Sequence, residues 1–241
     1  VAKVWWTGEQ RINYTQFTKL PNIISIAYKW LGSDETHTLR WNMKTHCDKK
    51  MMKKFLKVYN GADMVIGQNN NRFDNKWINT QAAKHELFVD VNIKSFDLMQ
   101  QTRRLFRLPS YSMAFIAKFF KVTHKQGHEG ILMWNMVEDG TPEQQEEYMA
   151  KMLEYNRGDI VTTEEIYVKI RKYMGHKVHF GVLNGGEKHS CPNCGDDHPE
   201  VFKTTYSPAG TMKHSARCPK CEVQYSLSNR VYLNYISSLE N

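Results

Sequence analysis

The chain has 241 residues, 41% hydrophobic and 12% aromatic, enough apolar material to bury one medium-sized core with a small appendage, and this excludes a disordered or fibrous class. No apolar run approaches the ~18 to 20 residues of a membrane span, and no charged-then-apolar leader opens the sequence, so a soluble cytoplasmic protein without a membrane partner is expected. The net charge of +8 favours an anionic partner. From Gly185 onward six Lys/Arg face six Asp/Glu, so the whole surplus, 27 against 19, lies in residues 1–184. The first residue is Val1 rather than Met, which suggests processing or a piece of a longer protein.

Along the chain, Ile23 to Trp30 and Thr38 to Trp41 are β-rich runs separated by Gly32-Ser33-Asp34, the pattern of a hairpin or meander. Asp48 is placed to cap a helix whose Met52, Phe55, Leu56 and Tyr59 recur at helical spacing, and Asn60-Gly61 stops it. Met64 to Gly67 is a short apolar strand, a helix is predicted from about Asn75 to His85, and a strand from Val91 to Phe96. That strand-helix-strand order indicates an α/β fold. Helices are predicted next over Leu98 to Phe106 and Ser112 to Phe120. Another begins at Thr141-Pro142-Glu143-Gln144, where Thr caps, Pro sits in the first turn and Gln closes a capping box, and it runs to about Tyr173. A glycine-punctuated segment then leads to a cysteine-rich tail.

In that tail, Cys191-Pro-Asn-Cys194 and Cys218-Pro-Lys-Cys221 each place two thiolates on one tight turn, where they can fill two corners of a tetrahedron. The Thr/Tyr/Val-rich stretch between them, with Pro208-Ala209-Gly210 at its middle, suits a β-hairpin between knuckles. A structural Zn²⁺ ribbon over residues 185–241 is expected, its four-thiolate shell closed to water and its folding driven by the metal. His189, His198 and His214 are expected on the surface, and Cys47 as a buried, inert thiol.

Two segments carry a chemistry argument. In Gly67-Gln68-Asn69-Asn70-Asn71-Arg72-Phe73-Asp74 an apolar strand runs into a polar loop that ends on an acid at a helix start. In Tyr155-Asn156-Arg157-Gly158-Asp159 a Tyr and an Asp four apart share one helical face. Phosphodiester hydrolysis on a pair of Mg²⁺ or Mn²⁺ ions needs converging carboxylates and a group that orients water, roles open to Asp74, Asp159 and Tyr155. Each segment alone also reads as ordinary helix capping or packing.

Taken in order, the segments ISIAYKWLG, ADMVIGQNNNRFDNKWINTQAAKHEL, SFDLMQ, HEGILMW, YNRGDIVTTEEIYVKIRKYM and the knuckles resemble the DnaQ-like 3′-5′ exonucleases, the branch whose third motif is Tyr-x-x-x-Asp, and within it bacterial and phage proteins that join such a domain to a zinc ribbon. The resemblance spans about Asn22 to Cys221. It implies an RNase H-like mixed sheet flanked by helices over residues 1–184, with Asp74 and Asp159 as metal ligands and Tyr155 as third catalytic residue. Asn69 and Phe73 match flanking positions, and Asp97 an acidic position without a catalytic role. Asn69, Asn70, Arg72, Phe73 and His128 become the candidate substrate contacts, and DNA or RNA the partner, whether the chain works alone or in a replication or repair assembly. His124 and Lys125 lie in the same Lys/His-rich stretch as His128.

The sequence departs from this pattern at the family's first motif. No Asp-x-Glu precedes Asp74, and VAKVWWTGEQ resembles the stretch just after that motif in relatives, so either an upstream segment supplies it or Ala2 to Trp6 replaces it, with Glu9 the nearest carboxylate. Two functions are consistent with this: a metal-dependent 3′-5′ exonuclease, or an inactive nucleic-acid- or protein-binding adaptor that keeps the fold and the ribbon. Lys49, Lys50, Lys53, Lys54 and Lys57 are expected to form a solvated helix face, with phosphate gripping as the alternative. Trp5, Trp6 and Trp30 are expected in the core, with base stacking as the alternative.

Overall fold

The computed structural model describes residues 20–122, 130–174 and 179–240. The molecule is mixed α/β and divides into two compact units, Val1–Met99 with Lys121–Glu164, and Gln100–Phe120 with Glu165–Asn241. Ala2 to Trp6, Glu9, His124, Lys125 and His128, which the sequence singles out, lie outside the described residues.

In the first unit, β1 (Ser25–Tyr28) and β2 (His37–Arg40) form an antiparallel pair in the register Ser25↔Arg40 to Tyr28↔His37, closed by stacking of Tyr28 on His37 at 5.0 Å. Helix α1 (Lys49–Tyr59) buries Met51, Met52, Phe55, Leu56 and Tyr59, and all five of its lysines are exposed. Met52, Phe55, Leu56 and Tyr59 pack with Ile26, Tyr28, Leu39, Val65, Ile78 and Ala82 into one cluster. Full burial of a side chain such as Met52 contributes about 1.5 to 3 kcal/mol. A second cluster joins Ile24 and Trp41 to Met133 and Val137 of α5 (Ile131–Asp139) and to Met149 and Met152 of α6 (Pro142–Ile170).

Strands β3 (Met64–Gly67) and β4 (Lys94–Asp97) are parallel and are joined through α2 (Asp74–Lys84), so Gly67 and Asp97 lie side by side at their C-terminal ends. The strand expected at Val91 begins later because Asp90 Oδ1 accepts the Asn92 N–H at 2.9 Å, which holds 90–92 in a turn. The α6 capping box forms in both directions: Gln144 Oε1 accepts the Thr141 N–H at 2.9 Å and Thr141 Oγ1 accepts the Gln144 N–H at 3.4 Å.

Three expectations fail in this unit. Asp48 begins α1 but does not cap it with its side chain. Its fully buried carboxylate accepts the Ile23 N–H at 2.9 Å and meets His85 Nε2 at 2.6 Å, tying three separate segments together. Cys47, beside it, is exposed rather than buried. Trp30 is 51% exposed because it leads into the tight turn at Gly32 (φ +80°), outside the strand pairing.

The second unit contains α4 (Met113–Phe120), most of α3 (Leu98–Leu105), the last turns of α6, a short 3-10 turn at Arg171–Tyr173, α7 (Phe180–Leu183) and the cysteine-bearing tail. Phe106 packs edge-on to Phe120 at 5.3 Å and to Tyr173 at 5.5 Å. The tail is a three-stranded antiparallel sheet of β5 (Glu200–Tyr206), β6 (Met212–Arg217) and β7 (Gln224–Ser228), followed by α8 (Asn229–Leu239). His214 is buried, not on the surface as expected. α8 covers it through a ring contact with Tyr232 at 4.1 Å, while Thr204 Oγ1 and Asn229 Oδ1 each lie 3.0 Å from one of its ring nitrogens.

Candidate active site and cysteine centre

The loop leaving β3 is shaped by its polar residues. Asp97, 2% exposed, accepts the Asn69 N–H on Oδ1 and the Asn71 N–H on Oδ2, each at 3.2 Å, and so bends the chain over the end of β4. Asn69 takes the left-handed conformation, φ +60°, which Asn tolerates better than most residues. Gly67 has to be glycine, because a Cβ there would lie 2.7 Å from the Asn70 Cβ. Asn70 is buried and donates from Nδ2 to Ser95 Oγ at 3.0 Å. Asn75 Nδ2 donates to the same oxygen at 2.9 Å, and Ser95 Oγ donates to Asn71 Oδ1 at 2.6 Å. The Asn75 N–H then bonds Asn70 O at 2.8 Å and starts α2.

This loop delivers Asp74 as the first residue of α2, with Arg72 and Phe73 exposed before it. Asp74 is open to solvent as a residue, yet the atoms crowded around its carboxyl raise its pKa. Its own N–H lowers it, and the neighbouring Asp97 charge raises it further. Phe73 is 58% exposed and meets Trp77 in an edge arrangement with ring centroids 6.5 Å apart.

The second segment sits on α6, which β1 and its loop hold in place. Asn156 Nδ2 donates to Ser25 Oγ at 2.6 Å, Glu164 accepts the Gly32 N–H at 2.7 Å and pairs with Lys29, and Arg40 pairs with Glu146 at 2.5 Å. One turn apart on this helix, Tyr155 and Asp159 are hydrogen-bonded through their side chains. Burial raises the Tyr155 pKa first, and the Asp159 charge and hydrogen bond raise it further, so the phenol stays protonated and donates to the carboxylate.

The four cysteines converge. Cys191 and Cys221 sulfurs lie 3.5 Å apart, Cys194 and Cys218 3.6 Å, and all four lie within 4.8 Å of one another. A tetrahedron with Zn–S bonds of ~2.3 Å has edges of about 3.8 Å, so the thiols fit a zinc ion without rearrangement. Cys191 is held above the usual thiol range by its sulfur contact with Cys221 and by burial, and the same contact pushes Cys221 down, so the two thiols share a proton. The end of α6 is fastened to this centre: Tyr167, buried and raised to about 12 by that burial, donates its hydroxyl to Asn193 Oδ1 at 3.2 Å, and Lys172 pairs with Glu222 at 2.6 Å.

The model of the RNase_H superfamily matches residues 15–171, well over half of the chain. The chain belongs to the RNase H superfamily. A comparison with curated proteins gives no match. Members of this superfamily are usually nucleases, which act on nucleic acid and generally use divalent metal ions.

In this RNase H-like domain Tyr155 and Asp159 form a hydrogen-bonded pair, and the Asp97 charge acts on Asp74. Among the described residues, the groups of three or more potential ligands gathered within 4.8 Å are the four cysteines, Cys47/Asp48/His85 and Asp196/Asp197/His198, so Asp74, Asp97 and Asp159 do not form one. The oxygen-only donor set and the charge pressure of Asp97 on Asp74 suit a hard cation such as Mg²⁺ or Mn²⁺, while closing a two-ion site calls for a further bridging carboxylate. Sequence reasoning missed Ser95 and Asn75, whose amide and hydroxyl groups knit the loop. Ordinary Ser and Asn residues gave no periodic signal to find them by.

Proposed function

We propose that the protein is a metal-dependent 3′-5′ exonuclease acting on DNA or RNA, in which Asp74 and Asp159 are metal ligands and Tyr155 orients the attacking water. The Tyr155–Asp159 hydrogen bond carries this reading, since it places a protonated phenol against an acid at the spacing that the exonuclease branch requires. Bound Mg²⁺ or Mn²⁺ would supply Lewis acidity and a water activated at neutral pH. Tyr155 holds that water for in-line attack on the terminal phosphorus. The P–O3′ bond to the penultimate nucleotide breaks, and a proton passes to the departing 3′ oxygen. The exposed Phe73 would stack on the terminal base, and the exposed Arg72 would meet its phosphate. The buried Asn69 and Asn70 side-chain oxygens, which lack a hydrogen-bond partner among the described residues, suit a sugar hydroxyl or ordered water. The four cysteines would hold a structural Zn²⁺.

The second reading is an adaptor that keeps the fold without catalysis; between Val1 and Asp74 no Asp-x-Glu occurs. A 5′-labelled oligonucleotide in Mn²⁺ separates the two. In a form that carries an Asp-x-Glu strand, Asp74→Ala and Asp159→Ala each nearly abolish shortening from the 3′ end, and Tyr155→Phe lowers the rate by about 10² to 10⁴. The 241-residue chain itself shortens the oligonucleotide little. Full activity after Asp159→Ala rules out the exonuclease reading, and binding without cleavage in the Asp-x-Glu form establishes the adaptor.

A further inference from the structure

Helix α1 carries a charge pattern that the fold does not use. At about 100° per residue, Lys49, Lys50, Lys53, Lys54 and Lys57 fall within one arc of about 140°, opposite the arc that buries Met51, Met52, Phe55, Leu56 and Tyr59. All five lysines are exposed, and among the described residues none is paired with a carboxylate. Lys49–Lys53, Lys50–Lys54 and Lys53–Lys57 are like-charge pairs at i,i+4, each costing a few tenths of a kcal/mol. The first turn holds no acid, so Lys49 and Lys50 face the positive end of the helix dipole. The Asp48 carboxylate, which the sequence places to offset this, is committed to Ile23 and His85. Lys57 sits in the last turn, where the dipole favours a cation, but the i,i+4 repulsions and the two lysines at the N-terminal end remain as costs that a bound polyanion offsets.

We infer that the lysine face of α1 is a docking surface for the phosphate backbone of a nucleic acid. The inference deepens the nuclease reading and rests on it: the face would hold the body of the strand in the same unit that carries Asp74 and Asp159. From Lys49 to Lys57 the helix rises about 12 Å, which spans three to four phosphates at ~3.4 Å per nucleotide along one duplex strand. The lysines form three rungs about 6 Å apart without interleaved aromatic or amide side chains, so they contact backbone and not base edges.

The test measures binding of the full chain to labelled single-stranded and duplex oligonucleotides in EDTA, so that it does not depend on catalysis. The variant combines Lys50→Gln, Lys53→Gln, Lys54→Gln and Lys57→Gln. For two to four lost contacts the slope of log K against log[salt] flattens by about 2 to 4, and affinity at 0.1 M salt falls by about 10² to 10³-fold. The duplex and single-strand arms show which form the face prefers. The variant's melting temperature stays level or rises, because repulsion is relieved. As a control, Lys188→Gln, Lys203→Gln, Lys213→Gln and Lys220→Gln, all exposed on the other unit, remove the same charge and leave the slope within about one unit of the parent. An unchanged slope in the α1 variant overturns the inference, as does an equal loss in the control. Equal competition by polyglutamate overturns it in favour of an acidic protein. No cleavage by a form that carries an Asp-x-Glu strand, with binding intact, would instead strike the exonuclease reading and leave this one standing.

Discussion

Replacing Asp97 tests how the candidate site is built. Its carboxylate, 2% exposed, accepts two backbone N–H groups at 3.2 Å and so fixes the loop that presents Asp74. A hydrogen bond to a charged group contributes about 1.5 to 3 kcal/mol. The two donors are only part-buried, so water recovers some of the loss, and Asp97→Ala is expected to cost about 2 to 4 kcal/mol. At 2 to 4 °C per kcal/mol for a chain of this size, the melting temperature falls by roughly 4 to 16 °C. Asp97→Asn keeps one acceptor and turns an amide N–H toward the other donor, so it falls between the parent and Ala. The charge effect runs separately: with Asp97 neutral, the Asp74 pKa moves back toward the ordinary carboxylate range, which a carboxyl-detected NMR titration of Asp97→Asn reads directly. A loss below about 1 kcal/mol in Asp97→Ala, or an unmoved Asp74 titration in Asp97→Asn, refutes the account.

Metal analysis of freshly purified, reduced protein should give close to one zinc per chain, and chelation should selectively disorder the tail, because four thiolates are its main source of order; protein without zinc would show the knuckles to be plain dithiols. Asp74 has its folded pKa raised, so its contribution to stability is present below the unfolded value of about 3.9 and is lost as pH rises through the folded value. Asp74→Asn should therefore melt higher than the parent at pH 8 in EDTA, with the gap closing toward pH 3, and a variant that melts lower at pH 8 would contradict the strain assigned to this carboxylate.

Features written in local sequence were legible. The Thr141-to-Gln144 box predicted both of its hydrogen bonds, the 3.6-residue recurrence in α1 predicted its buried face, and the knuckle spacing predicted the converging sulfurs. What failed depends on partners distant in sequence. Asp48 looks like a cap until Ile23 and His85 are brought to it, and His214 looks exposed until α8 folds over it. Helix α5 went unseen because its N-terminus is Gly130 at φ +65° without a side-chain cap, so no local start signal marks it. For the site, the residue types and the i,i+4 spacing of Tyr155 and Asp159 were readable. The bond between Asp97 and the 69–71 backbone was not, since nothing in SFDLMQ shows that its Asp lies beside Gly67.

The places where local preference is overruled in the first unit share a chemistry. Asn69 adopts a left-handed backbone, the Asp74 pKa is raised by burial and further by the Asp97 charge, and α1 lines up five lysines with no acid in its first turn. None of these contributes to the two apolar clusters that hold the unit together, and each lowers stability by an amount those clusters can absorb. The two carboxylates and the lysine stripe are opposite in sign. A cation stabilises the first and a phosphate backbone the second, and a nucleic acid with its divalent counterions supplies both, which is why electrostatic strain of these two signs in one unit argues for a nuclease more strongly than either does alone.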